Sequence, residues 1–355
     1  MARIFSLVCI GGWSGVNLFF VLSGFLITGI LLDSKDRRDY YRRFYIRRAL
    51  RILPALYLLL ILLAILPRTG LFEARQVGWP FLLLSFFYLA NSVDLFGVPA
   101  QYIPLWSLAV EEHFYLLWPT AIRTFSRRTV TWFAAAIFLM SPVIRAINFK
   151  LGNFANGYHT WLTADGLAIG AFLAVLSRGS LAGRSAMRTF SLGCMIGAGA
   201  LFAFGTPLGI WHKSACFGTA LRPTGINLFF AGLLAATLLL GSSRWSWIVR
   251  RPILQWFGEI SYGLYLIHML AFDFVNHWIA RFAPEAYAQL SSRFGLMVLR
   301  FILAVALAVL LAFLSRRYFE ERFLRLKDRW AATVTDLPVT SSAMEGSSQP
   351  IRQTA

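Results

Sequence analysis

An all-α fold, a polytopic bundle of about ten transmembrane helices, is what this 355-residue chain predicts. Three observations point to it. Hydrophobic residues make up 58% of the chain and charged residues only 14%, against roughly 25% charged in soluble domains, and mean hydropathy is +0.63. Apolar runs long enough to cross about 30 Å of hydrocarbon as helices, roughly 20 residues each, recur along nearly the whole length. Such a backbone must satisfy its own hydrogen bonds in lipid, which helices do.

In chain order the runs place spans near 15–32, 51–67, 80–97, 105–122, 130–147, 160–177, 189–206, 226–241, 258–280 and 297–315. The first is followed by DSKDRRDYYRRFYIRRALR (33–51), where Lys35, Arg37, Arg38, Arg42, Arg43, Arg47, Arg48 and Arg51 stand against only Asp33, Asp36 and Asp39. That excess assigns the connection to the cytoplasm. The later basic connections at 123–128, 178–188, 244–251 and 316–329 alternate correctly as cytoplasmic only if residue 104 lies outside. Two full crossings at 51–67 and 80–97 would break that alternation. The third run ends in the polar ANSVDLFG, so it is expected to be re-entrant, a path tolerated where protein or a cavity surrounds the backbone. The fourth is bracketed by Pro104 and Pro119, leaving 14 residues, about 21 Å of helix, short for a span unless the helix continues past Pro119. The sixth opens ADGLAIGAFLA, whose Gly166, Gly170 and Ala174 recur every fourth residue and permit close helix contact; Ser23, Gly24 and Gly29 do the same in the first.

We read residues 1–330 as one membrane domain and 331–355, polar, Ser/Thr-rich and aperiodic, as a disordered tail. The opening MARIFSLVCIGG has one Arg and no cleavage site; it does not read as a signal peptide but as the outer end of a helix whose beginning is missing. The formal charge of +18 sits in short connections between apolar runs, which argues for a bilayer partner and against nucleic acid. Cys9, Cys194 and Cys216 are odd in number and widely spaced, so neither a disulfide framework nor a metal site follows from them.

Ionisable groups at membrane depth are costly and mark functional sites by default. In WSLAVEEHFYLLWP (106–119), residues Ser107, Glu111, Tyr115 and Trp118 share one helical stripe, whereas Glu112 and His113 point elsewhere. In GEISYGLYLIH (258–268), Ser261, Tyr265 and His268 fall on one face, with His268 about two turns into its span.

Four stretches, GWSGVNLFFVLSGFLITGILL, FYIRRALRILPALY, WSLAVEEHFYLLWP and GEISYGLYLIH, resemble in order and spacing the acyltransferase 3 family of bacterial membrane O-acyltransferases, and the resemblance extends from about residue 12 to 326. It implies transfer of an acyl group, commonly acetyl, from cytoplasmic acyl-CoA to a hydroxyl of a surface or exported glycan such as lipopolysaccharide or peptidoglycan, in the plasma membrane. Acyl-CoA would be a co-substrate rather than a permanently bound cofactor. Such chemistry needs a base, oxyanion donors and a cationic seat for phosphates. Glu111, Glu112, His268 and His113 are the candidates for proton handling, with Glu112 expected to pair with an arginine or orient a base. Arg47, Arg48 and Arg51 are candidates for the CoA phosphates; Ser107, Tyr115, Asp165, Ser261 and Tyr265 for contacts to substrate. Glu320, Glu321 and Arg322 are expected in surface ion pairs, and His159, His212 and His277 receive no role.

The chain departs from the family's pattern in having no histidine before His113, where the family's first helix carries one, and in having Asn17 where Asp is frequent. A missing first helix or a catalytically impaired homologue would each explain this. A glycan or acyl-donor transporter is the competing reading, since Gly-interrupted helices and a re-entrant segment suit a carrier.

Overall fold

The computed structural model describes residues 12, 14–69, 77–152, 158–179, 183–212, 214–241, 247, 250–290 and 293–330, except the side chains of 327–329. Cys9, the opening segment and the tail at 331–355 lie outside those residues. The described helices are α1 (Ser14–Asp33), α2 (Tyr40–Ile65), α3 (Trp79–Phe86), α4 (Leu105–Thr124), α5 (Arg127–Lys150), α6 (Thr160–Thr163), α7 (Asp165–Arg178), α8 (Arg184–Gly205), α9 (Cys216–Leu240), α10 (Pro252–Phe282), α11 (Pro284–Ala288), α12 (Phe294–Leu314) and α13 (Glu321–Trp330), with short 3₁₀ turns at Leu66–Arg68 and Val93–Phe96. No strand occurs among the described residues. Six helical stretches are long and apolar enough to cross a membrane: α1, α2 with its following turn, α5, α8, α9 and the α12 stretch as far as Leu326. The chain is a multi-pass membrane protein.

The ten expected spans meet these helices with shifted bounds, the starts moving most at α2 and at α9, which begins at Cys216 rather than 226. Helix α2 starts at Tyr40, not 51, so the arginine cluster is helical; Asp39 precedes it, its carboxyl held below the usual carboxylate range by the hydrogen-bonded Arg37 guanidinium 2.9 Å away. An ionised group there favours a helix start. Helix α3 has eight residues, about 12 Å, and cannot cross. Its chain turns back at Tyr88, whose φ of 58° is left-handed, as the expected re-entrant path requires. Helix α4 runs through Pro119 to Thr124, giving 20 residues, about 30 Å. The sixth span keeps its expected bounds, Thr160 to Arg178, but is interrupted at Ala164. It is broken into α6 and the 14-residue α7, the latter only about 21 Å long.

Helix α7 is short because it is packed on all sides rather than by lipid; Leu167, Ala171, Leu173 and Ala174 are fully buried. Its glycines set the contact with α1. A Cβ at Gly170 would stand 2.1 Å from the Val21 carbonyl oxygen, and one at Gly24 of α1 would stand 2.0 Å from that of Leu167. Only glycine fits at either place. Helices α5 and α9 flank this pair, α8 packs outside α9, and α4 lies along α1. On the other side α2 carries α3, α10 and α13, and α12 packs on α10.

Three of the basic connections, those at 33–51, 123–128 and 178–188, meet at one end. Arg178 at the end of α7 binds Asp33 at the end of α1 at 2.8 Å, Arg127 donates to the Arg178 carbonyl at 2.7 Å, and Lys35 to that of Phe125 at 2.8 Å. Positive charge marks this as the cytoplasmic end.

Candidate active site

The stripe expected on α4 is buried as a unit: Ser107 is 0% exposed, Glu111 2%, Tyr115 2% and Trp118 5%. Glu111 is the centre. Ser23 of α1 donates a short hydrogen bond to its Oε1, and the Tyr115 hydroxyl, one turn along, donates to the same atom at 2.9 Å. Ser23 and Tyr115 hydroxyls lie 3.2 Å apart. From α2, Arg48 lays its guanidinium 4.6 Å from the Tyr115 ring centroid and donates to its hydroxyl at 3.4 Å. Carboxylate, two hydroxyls and a guanidinium from three helices thus meet inside the bundle. Trp118 completes the stripe by donating to Thr28 of α1 at 2.8 Å.

One turn towards the other end, Ser107 meets Tyr265 of α10, their hydroxyl oxygens 2.5 Å apart, and Tyr265 also donates to the Pro104 carbonyl at 3.2 Å. His268 sits beside it, Nδ1 2.6 Å from the Tyr265 carbonyl oxygen. Tyr102 donates to the Leu266 carbonyl at 2.6 Å, and Tyr262 to that of Ile52 at 3.0 Å. Polar groups therefore line the meeting of α4 and α10, from Tyr265 to the arginines of α2.

The other candidate residues have different surroundings, and the expected pairing of Glu112 with an arginine is absent among the described residues. Glu112 forms no ion pair among the described residues; its Oε1 is buried without a hydrogen-bond partner. Ser261 is exposed and bonds the Gly258 carbonyl of its own helix, so it does not join Tyr265. Arg47 buries an unpartnered Nε, and Arg51 is exposed on the flank of α2. His113 is not an interfacial residue open to water but is hydrogen-bonded through Nδ1 to Thr160 at 2.7 Å. Asp165 is already filled: Arg145 reaches it at 2.9 and 3.1 Å and Thr224 donates to it at 2.9 Å, while Arg145 also donates to the Leu162 and Ala220 carbonyls. That set ties α5, α7 and α9 together with every charge satisfied. Glu320 is 7% exposed rather than on the surface; a π-helical turn, Ser315–Glu320, folds it in, hydrogen-bonded to Ser315 and against Gly263. Glu321 does form the surface pairs, with Arg317 and Arg325.

Ser23, Arg145 and His159 were missed as polar centres. Arg145 carried a usable signal, a lone cation inside an apolar run. Ser23 did not, because its partner lies 88 residues away. Asn17, on α1, donates to Asn227 of α9 at 2.7 Å, so the position holds a neutral amide pair where Asp would have placed a charge.

Fold and site together define a multi-pass membrane protein built around a buried carboxylate that hydroxyl donors and a guanidinium hold in place. The chain belongs to the acyltransferase 3 family: the family's profile, described as an acyltransferase domain, matches residues 5–317. It is 29% identical over 338 residues to the peptidoglycan O-acetyltransferase OatA of Listeria monocytogenes, covering 87% of this chain and 51% of that one. It is 40% identical over 124 residues to the putative peptidoglycan O-acetyltransferase YrhL of Bacillus subtilis, covering 31% and 19%, and 34% identical over 125 residues to a putative O-acetyltransferase of Staphylococcus aureus, covering 32% and 20%. The chain spans about half the length of the Listeria relative and about a fifth of the other two. No solved structure matches it.

Proposed function

We propose that this chain is an O-acyltransferase of a bacterial plasma membrane, moving an acyl group, acetyl first among them, from acyl-CoA at the basic end of the bundle to a hydroxyl of a cell-envelope glycan at the other. The observation that carries this reading is the Glu111 cluster. A carboxylate so deep in a membrane protein, with both neighbouring hydroxyls donating to it, is expensive to maintain, and a carboxylate within reach of a reacting hydroxyl or thiol is the group that proton transfer needs.

In this reading Glu111 handles the proton exchanged between acceptor hydroxyl and departing thiol, while Ser23 and Tyr115 fix its orientation. Arg48 and Arg51, with Arg47 beside them, face the donor phosphates, for which planar guanidinium forks are suited. Tyr265 and His268 stand one turn further out, where the acceptor would approach. Glu112, a buried oxygen without a partner, is available to a substrate hydroxyl. Relatives named for peptidoglycan make a wall glycan the first acceptor to try.

The test is reconstitution in lipid with labelled acetyl-CoA and envelope glycans. Transfer of label to saccharide, lost in Glu111→Gln, supports the reading. Movement of glycan across the bilayer with no transfer of label would assign the bundle to the carrier class instead.

A further inference from the structure

At the end opposite the arginines, the turn after α3 and the start of α6 bring together a serine, a histidine and an aspartate. His159 is 4% exposed and stands between them: its Nδ1 is 3.2 Å from Oγ of Ser92 and its Nε2 is 3.2 Å from Oδ2 of Asp94. Trp161, two residues on, stacks on the imidazole with ring centroids 4.5 Å apart and is itself half exposed. The protonation pattern follows from the partners. A carboxylate only accepts, so Nε2 carries the hydrogen towards Asp94 and Nδ1 presents its lone pair to the serine hydroxyl. That is the tautomer in which a histidine deprotonates a serine and a carboxylate steadies the resulting imidazolium. The Nε2–H is not well aligned on Asp94, whose Oδ2 has no geometrically good donor. Catalytic hydrogen bonds are commonly loose before substrate tightens them.

The surroundings suit a reaction site better than a simple clasp. Helix α7 stops short at Asp165, and α3 turns back, so irregular backbone fills the bundle beyond them; at membrane depth such backbone is tolerated where it lines a cavity or is wrapped by protein. Asp94 keeps 29% of its side chain exposed, while Ser92 and His159 behind it are buried. A hydrogen-bonded string joins it to the α4 motif. Asn91, beside Ser92 in the chain, donates to Thr160 at 2.9 Å, and Thr160 lies 2.7 Å from His113, two residues from Glu111.

We propose that Ser92 is a nucleophile that carries the acyl group as an ester between donor and glycan, with His159 as its base and Asp94 as the group that positions the imidazole. The proposal rests on the acyl-transfer reading above and divides that transfer in two; where that reading gives Glu111 the proton of a direct transfer, the divided route gives it to His159. First, Ser92 Oγ bonds to the acyl carbon and the carbon–sulfur bond of the thioester breaks; the serine proton passes to His159 Nδ1 and on to the sulfur, which leaves as a thiol. Second, a saccharide hydroxyl attacks the Ser92 ester, gives its proton to His159, and Ser92 Oγ departs and takes that proton back. The exposed side of Trp161 offers a flat aromatic surface for a sugar ring at the same place.

Two measurements on the full chain in lipid nanodiscs test this. A fluorophosphonate probe, which needs an activated serine but neither donor nor glycan, is expected to label the Ser92 peptide by mass spectrometry, with labelling lost in Ser92→Ala and slowed at least tenfold in Asp94→Asn. Ser92→Ala leaves the Asp94–His159 contact in place, so a purely structural clasp would survive it; acyl transfer is expected to fall at least 100-fold. Absence of Ser92 labelling, or full transfer in Ser92→Ala, overturns the proposal while leaving the acyltransferase reading intact. Labelling of Ser92 in a protein that transfers nothing from acetyl-CoA supports the nucleophile and removes the donor assignment.

Discussion

Glu111 draws its importance from what is missing around it. Among the described residues no basic side chain bonds its carboxylate directly; its partners are the Ser23 and Tyr115 hydroxyls, and Arg48 bonds the tyrosine. A carboxylate held by neutral donors can exchange a proton without breaking an ion pair, whereas Asp165 is paired directly with Arg145 at 2.9 Å. The two residues should therefore fail differently. Glu111→Gln is expected to lower transfer by about 100-fold or more with membrane insertion and thermal stability unchanged, measured by label transfer and by unfolding in detergent. Arg145→Ala is expected to cost about 3–5 kcal/mol, because it leaves the Asp165 charge buried and unpaired, seen as a large fall in unfolding midpoint; Arg145→Ala with Asp165→Asn together should recover much of it. Arg48→Ala should raise the KM for acyl-CoA while leaving that for the glycan unchanged. At this scale the sequence was partly legible. The α4 stripe follows from helical period alone, so Ser107, Glu111, Tyr115 and Trp118 were grouped correctly. The choice of partner for each was not, because Ser23, Thr28 and Tyr265 are delivered by tertiary packing that leaves no trace in local spacing.

Among the helices, the two that fall short of a bilayer are the informative ones. Charge alternation exposed α3 in advance, since a full crossing there would have put every later basic loop on the wrong side. The shortness of α7 had no such signal: YHTWLTADGLAIG (158–170) holds no proline and reads as continuous helix, yet α6 ends at Thr163 and α7 starts at Asp165. Single cysteines replacing the exposed Trp79 and Phe96, in a background without the native cysteines, are expected to react with an impermeant thiol reagent from the same side; labelling from opposite sides would make α3 a crossing. The glycine spacing on α7 was legible as a contact but not its partner. Gly170→Leu should abolish the α1–α7 approach, since side-chain atoms would meet the Val21 carbonyl, and the variant is expected to lose folded yield in detergent, while the same change at Gly193, which has nothing within 4 Å, should be tolerated.

For the molecule as a whole, the +18 formal charge is segregated along the bundle axis, and that polarity predicts sidedness. In vesicles of uniform orientation, acyl-CoA supplied on the face bearing Arg127 and Arg178 should support transfer, and the same donor on the face bearing Asp94 and His159 should not. Fold class and membrane residence were readable from hydropathy because lipid imposes one rule on every exposed surface. The site was readable only where polar residues broke that rule within a single helix. His159 illustrates the remainder: near a predicted edge it looked like any interfacial histidine, and three-dimensional placement alone set it between Ser92 and Asp94.

The contact between α1 and α7 has a mechanical consequence. With backbone seated on backbone at Gly24 and Gly170, those two helices have no room to slide or rotate past each other, and they act as a stator. Helices α10 and α12 join the rest through Leu266 and Leu270 in the main core and through the hydroxyl tips of Tyr262, Tyr265 and Tyr102. Any motion that accompanies turnover has to be taken up by helices outside that contact.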